Sequence, residues 1–344
     1  MLALSALVVS LVAAAPSSAP VSPPPARTTP DLERPLKWML AAQQANGAWG
    51  IELNTPPDVA TTSICGIALI RGGSTASHGA HAANTRRAVG FIVRAVDAVP
   101  KEQLAVQAEG TLPQRKLGRY VDTFLAAQFL AEALPDIPEG DDHVRAAKAL
   151  DALVYKVEKL QEKNGSFAGG GWAPVLGSAF ASDALHAAKG VGSNVDGQAL
   201  ASADGYLVSG VDAKSGKIAT GGDSAGVALY KTAAVAKASS YGAGGTGSLA
   251  GRAAVGQMQD EATLRGFGSY GGEEHVSYMM TSEALAKTGG PKWEEWDKKI
   301  RVRLATIQRE DGTWRGDHCI TSTAFCTAAS LITLAVKPVA IPAR

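Results

Sequence analysis

From about residue 31 onward, two kinds of segment alternate along the chain. One kind is amphipathic. Residues 293–308 (WEEWDKKIRVRLATIQ) place Trp296, Ile300, Leu304 and Ile307 at i, i+4, i+8 and i+11, the apolar stripe of a helix lying on a core. The other kind is small and apolar nearly all round, as in residues 319–336 (CITSTAFCTAASLITLAV). A helix apolar on every side is buried on every side. Segments of this second kind begin near Asp58, Tyr120, Leu176, Asp223, Glu274 and His318. Before them run more polar helices, predicted over 32–45, 84–98, 144–162, 195–211, 253–264 and 293–308. The spacing of roughly 45–60 residues is that of a repeat of helical hairpins. About six hairpins, polar helix outside and apolar helix inside, make an all-α ring of two concentric layers, an (α/α)6 toroid.

The junctions carry a second repeat. Gln43-Gln44-Ala45-Asn46-Gly47-Ala48-Trp49, Gln161-Glu162-Lys163-Asn164-Gly165-Ser166-Phe167 and Gln308-Arg309-Glu310-Asp311-Gly312-Thr313-Trp314 share Gln-x3-Gly-x-aromatic. In each, Asn/Asp-Gly ends an outer helix with a residue that tolerates the left-handed conformation. The aromatic is expected to fold back over the glutamine amide. These junctions resemble the QW repeats of squalene and oxidosqualene cyclases, and the alternation of outer and inner helices is similar to that of protein prenyltransferase β subunits. The resemblance runs over nearly the whole chain after residue 31. It implies the fold, and in such families the repeat is a brace, so it says little about chemistry.

Composition narrows the picture in three ways. A length of 344 residues alone would suggest about two domains, but a hairpin repeat has no separate core per hairpin, so residues 31–337 are expected to form one toroid domain followed by a tail, 338–344. A formal net charge of +1 leaves no electrostatic footprint for nucleic acid or an anionic membrane. Residues 1–15 (MLALSALVVSLVAAA) form an uncharged apolar run ending in small residues, which reads as a signal peptide, and residues 16–30 form a Pro/Ser-rich linker. The expectation is export to the periplasm or beyond, with no stable membrane span after signal removal. An uncleaved N-terminal anchor is the alternative. Cys65, Cys319 and Cys326 are odd in number and build no disulfide framework.

In such a ring the inner-helix N-termini converge on one mouth. Near them stand Asp58, Asp122, Asp223, Glu273, Glu274 and Asp317, and an acid in a helix's first turn is first of all a cap. Two junctions are richer: Glu273-Glu274-His275 opens the fifth inner helix and Asp317-His318-Cys319 the sixth. The prenyltransferase resemblance implies a zinc held by such residues at neighbouring inner-helix starts, here Glu273, Glu274, His275, Asp317, His318 and Cys319, although their order differs from the family's. The same residues are the candidate catalytic set: Glu274 or Asp317 as general acid/base or ligand, His318 and Cys319 as ligands or nucleophile-side groups. Squalene cyclases protonate an alkene with a DxDD-type acid. This chain has no such run, only Asp122 at a comparable place, and its inner helices offer few aromatics to hold a cation.

The leading reading is therefore an exported, enzyme-like ring with a small-molecule, lipid or polymer ligand in its central cavity. The alternatives are a non-catalytic lipid-, glycan- or peptide-binding module and a carbohydrate-active toroid. His78 and His81 in their Gly/Ser loop read as solvated, Gly242–Gly251 lacks the Lys-Ser/Thr of a phosphate loop, and His186 reads as a satisfied core histidine.

Overall fold

The computed structural model describes residues 28–338. The expected signal peptide, most of the linker (to residue 27) and the tail from residue 339 lie outside them. The chain runs through fourteen α-helices: α1 Glu33–Ala42, α2 Val59–Arg71, α3 Ala82–Asp97, α4 Leu112–Leu117, α5 Val121–Ala133, α6 Asp141–Lys159, α7 Pro174–Gly190, α8 Gly197–Val208, α9 Ala228–Ser239, α10 Leu249–Gln257, α11 Glu261–Leu264, α12 Gly272–Thr288, α13 Gly290–Ile307 and α14 Thr323–Ala335. No strand occurs among the described residues, only isolated bridges between junction segments.

The apolar helices α2, α5, α7, α9, α12 and α14 pack each against the next, and α14 returns to α2, so the inner layer is a closed ring. Outside it, α3, α6, α8, α10 and α13 each lie on their neighbours of the inner layer, and α1 packs on α14. The two patterns in the sequence are thus two environments. Every residue of α12 from Gly272 to Ala286 is buried, whereas α13 buries Trp293, Trp296, Ile300 and Leu304 and leaves its charged face in water. Small residues let the inner helices approach closely. Gly66 of α2 lies against the ring of Phe129 on α5, where a Cβ has no room.

The predicted helices are found, with local differences that have local causes. The fifth outer helix is split: Asp260 caps a new turn through Thr263 N–H, which separates α10 from α11. The fourth inner helix starts at Ala228 rather than near Asp223, because Gly222–Ser224 forms a 3-10 turn ending in Ala225 with φ +51°. The sixth starts at Thr323, capped by Ser322, because Cys319 takes a left-handed conformation, φ +53°. Cys319 and Cys326 therefore do not share a helix, and all three cysteines are free.

The three good junctions are superimposable in their bonding. Asn46, Asn164 and Asp311 each accept from the N–H two residues on, at 3.0, 3.0 and 2.9 Å. The glycines after them have φ of +94°, +87° and +86°. Each glutamine amide donates to that glycine's carbonyl and also to the start of the next outer helix: Gln43 to Asn84 O, Gln161 to Ala199 O, and Gln308 to Asp31 O. The two tryptophans are anchored through their indole nitrogens. The indole N–H of Trp49 donates to Met39 O and that of Trp314 to Leu304 O, at 2.7 and 2.9 Å. A buried indole needs an acceptor, and the outer-helix carbonyl ten residues back supplies it, while the glutamine turns sideways to the neighbouring hairpin.

Candidate functional site

At the inner-helix N-terminal mouth, the segments before α12 and α14 run side by side. Gly271 and His318 form a parallel bridge, Asp317 N–H donates to Tyr270 O at 2.6 Å, and Gly272 N–H to Ile320 O at 3.0 Å. This brings Glu273, Glu274, His318 and Cys319 together, as the sequence led one to expect. Glu274 is a structural carboxylate: it accepts from Tyr230 Oη at 2.7 Å and from the N–H groups of Phe267 and Gly271 at 2.9 and 2.8 Å, while His318 Nε2 lies 3.8 Å away. Gly266, φ +59°, presses directly on this carboxylate and has no room for a side chain.

Glu273 differs. It is wholly buried, its Oε2 accepts from Ile320 N–H at 3.3 Å, and its Oε1 has no partner. Burial and then the neighbouring Glu274 charge push its carboxyl up to about 7. The Cys319 thiol, in its strained backbone, is pushed up to about 11 by burial and by Glu273, so it stays protonated at neutral pH.

Three other acids at this mouth are held by donors from the protein. Asp58 caps α2 through Thr61 N–H and accepts from Gln107 Nε2 at 3.2 Å. Asp122 accepts from the N–H groups of Val106 and Gln107 and from Gln114 Nε2, and burial lifts it to about 6. Asp223 is held by Lys231 and Tyr206.

The six-residue ligand set does not assemble. Successive helix residues diverge by about 100°, so His275 points away from Glu273 and Glu274 and meets Ser330 of α14, Nδ1 to Oγ 2.9 Å. Burial lowers it to about 4, which keeps it neutral. Asp317 is exposed. Among the described residues no three His, Cys, Asp or Glu side chains stand where they could hold a metal ion. The residues present therefore do not fit the zinc that the resemblance implied.

Above the acids lies an aromatic cover that the sequence reading did not single out. Trp172 and Phe267, 40% and 54% exposed, meet edge to face at 6.1 Å, and Phe267 tilts over His318 at 5.1 Å. Lys116 stands 5.7 Å from the Trp172 ring. Beside Phe267, a cleft of about 500 Å³ is bounded by residues 225–228 and 260–263. Exposed aromatics in a Gly-rich loop (RGFGSYGG) were the available signal.

The opposite mouth, at the inner-helix C-termini, holds a network absent from the sequence reading. Arg71 binds Glu132 with two bonds, 3.0 and 2.7 Å, and also Glu283. Lys237 is buried between Asp183, at 3.2 Å, and Glu283. Tyr241 Oη donates to Asp183 at 3.0 Å and its ring stacks on His186, which bonds Asp204 at 2.9 Å. His186 is thus satisfied, as expected, but within a network that crosses the ring. Its signal in the sequence is a charge among the small and apolar residues of a buried helix, at Glu132, Asp183, Lys237 and Glu283. Such charges are rarely buried unless paired.

No protein-family model matches the chain, and no curated protein does. Solved structures similar to it include the type II terpene cyclase MstE from Scytonema without ligand, at 12% identity and TM-score 0.36, covering 88% of this chain and 95% of that one. A variant of the same cyclase in complex with the substrate geranylgeranyl dihydroxybenzoate matches at 12% identity and TM-score 0.37, over 88% and 95% of the two chains. Another variant, with the product merosterolic acid A, matches at 12% and 0.35, over 88% and 94%. Likenesses this loose carry no statement about chemistry, which rests on the ring itself.

Proposed function

We propose that this ring is a proton-transferring enzyme of terpenoid-cyclase-like character, with Glu273 as its acid and an apolar, lipid-like molecule as its ligand. The observation that carries the reading is the free Oε1 of Glu273. At a mouth where the buried acids Asp58, Asp122 and Glu274 have both oxygens engaged, one wholly buried carboxyl keeps an oxygen unpartnered and is protonated near neutrality. Such a group can donate a proton to an alkene or a carbonyl, and a donor works best with a pKa near the operating pH. Trp172 and Phe267 supply apolar faces for the ligand, and aromatic faces also stabilise a developing cation.

The Gly-rich flap at 265–271 carries Phe267 and closes over the acids, so ligand entry requires it to lift. His318, whose Nδ1 is unpartnered, and the protonated Cys319 border the same space and orient the ligand. No step requires a metal. A carbohydrate-active mechanism would need two working carboxyls flanking a bond, and Glu274 and Asp122 are each held by three donors.

The test is turnover of a polyprenyl substrate, followed by mass spectrometry, in the wild type and Glu273→Gln. The amide keeps the volume and loses the acid, so kcat should fall by about 10²-fold or more with ligand affinity retained. Wild-type activity should decline as pH rises through about 7, because the protonated carboxyl is the active form. If the wild type binds the lipid, Glu273→Gln binds it equally, and neither converts it, the ring is a binding module.

Export belongs to the same proposal. It rests on residues 1–15, and a chain recovered from the native host's extracytoplasmic fraction and starting after about Ala15 would support it.

A further inference from the structure

The flap over the acids is tied unevenly. Its second half is pinned three times: Ser269 O accepts from His318 Nε2 at 2.9 Å, Tyr270 O accepts from Asp317 N–H at 2.6 Å, and Gly271 N–H donates to Glu274 Oε2 at 2.8 Å. Among the described residues, the tip at 266–268 has one hydrogen bond to the mouth, from Phe267 N–H to Glu274 Oε1 at 2.9 Å. The N–H groups of Gly266 and Gly268 bond only within the local turn, to Thr263 O and Arg265 O. On one side the Phe267 ring covers the mouth, against Trp172 and His318; on the other it adjoins the cleft of about 500 Å³, whose walls include Val227, Ala228 and Ala262. We propose that Phe267 is a gate: its ring swings from the mouth into this cleft, uncovers the space above Glu273, and returns. The inference rests on the reading of that space as the ligand site, and it identifies what moves to open it.

Glycine permits the swing. Gly266 and Gly268, φ +59° and +109°, stand on either side of Phe267, and a residue between two glycines can change direction without a neighbouring Cβ in the way. The two glycines are not equivalent. A Cβ on Gly266 would overlap the Glu274 carboxylate, so that position admits no side chain while the gate is shut. A Cβ on Gly268 would meet nothing within 4 Å, so alanine there alters only the backbone preference. The cleft suits the ring that enters it, because Val227, Ala228 and Ala262 are small and apolar. Apolar contact with Trp172 is exchanged for apolar contact with these walls, so neither position leaves the ring without a partner surface. The one bond broken to the mouth is that of Phe267 N–H, and its net contribution is small because water replaces the carboxylate. An apolar ligand competes with Phe267 for the Trp172 face, so its arrival favours the open position.

The experiment is amide hydrogen exchange of the full chain, read by mass spectrometry of peptides from the flap and from α12 and corrected for intrinsic rates. In the wild type, the amides of 266–268 should exchange faster than those of 270–272, which stay pinned. Gly268→Ala strains the shut position alone, since an L-residue resists positive φ, and should speed exchange at the tip by about five- to thirtyfold while α12 is unchanged. Ala262→Trp, at an exposed position, fills the receiving cleft and should slow exchange at the tip by about fivefold or more. Equal exchange at the tip in the wild type and Ala262→Trp overturns the gate, and so does a rise in Gly268→Ala that spreads through α12. Glu273→Gln should leave the exchange pattern as it is. Failure of Glu273 as the acid therefore shows in turnover, and failure of the gate in exchange.

Discussion

A carboxyl at the start of an inner helix can be a cap, a strut or a reagent, and the oxygens decide which. Asp58 and Glu274 have both oxygens occupied by donors at 2.6–3.2 Å. Glu273 is buried without such support, and its raised pKa couples stability to pH. Its ordinary value is 4.5 and its folded value about 7. The folded state therefore holds the proton more tightly. The associated stability is fully present below pH 4.5 and is lost as pH rises through about 7, by roughly 3 kcal/mol. Asp122, raised to about 6, acts in the same sense. His275 is lowered to about 4, so its contribution is present above 6.5 and is lost as pH falls toward 4. Urea unfolding of wild type and Glu273→Gln at pH 5 and pH 8 separates these: the variant should lose less stability between the two, since it lacks the Glu273 slope while keeping the others. Equal losses would mean that Glu273 titrates normally. The sequence placed Glu273, Glu274, His318 and Cys319 together because the first pair stands in the first turn of α12 and the second in the segment that leads into α14. It misplaced His275 because a string of adjacent letters hides the rotation between adjacent helical residues.

Among the elements, the junction is where local sequence and ring geometry meet. The Gln-x3-Gly-x-aromatic spacing was legible because the same turn recurs three times. The direction of each side chain was not, since spacing does not say which of two nearby carbonyls an amide or indole will find. The structure separates the roles, so two substitutions should behave differently. Trp314 is wholly buried and ties its own hairpin, so Trp314→Ala should cost about 3–5 kcal/mol in global stability. Gln308 bridges α13 to the segment before α1, with its Oε1 accepting from Asp31 N–H at 2.8 Å and its Nε2 donating to Asp31 O at 2.7 Å. Gln308→Ala should cost only about 1–3 kcal/mol, with its clearest effect in hydrogen exchange: amides of α1 should lose protection relative to those of α6. Uniform loss of protection around the ring would contradict the local role of Gln308. The charged network at the other mouth escaped notice for a related reason. Asp183, Lys237 and Glu283 each stand among uncharged residues in their own stretch of helix, and only the ring's closure reveals that they face one another.

On the scale of the whole molecule, closure is carried by partners far apart in sequence. Asp31 and Gln308 are 277 residues apart, and α14 must reach α2 for the inner layer to shut. Until the last hairpin arrives, the first five can form at most an open crescent with apolar flanks on α2 and α12. Such a crescent accepts any α13–α14 hairpin of the right sequence, including one from a second molecule. At low protein concentration the hairpin tethered to the same chain wins, because its effective concentration is high. At high concentration, refolding from denaturant should yield exchanged dimers, each ring completed by its neighbour's last hairpin. Size-exclusion chromatography after refolding at increasing concentration should show a dimer peak that grows with concentration and reverts slowly on dilution, since reversal requires both rings to reopen. A ring without covalent closure is therefore also a clasp, and how it is shut depends on how crowded the chains are when they fold.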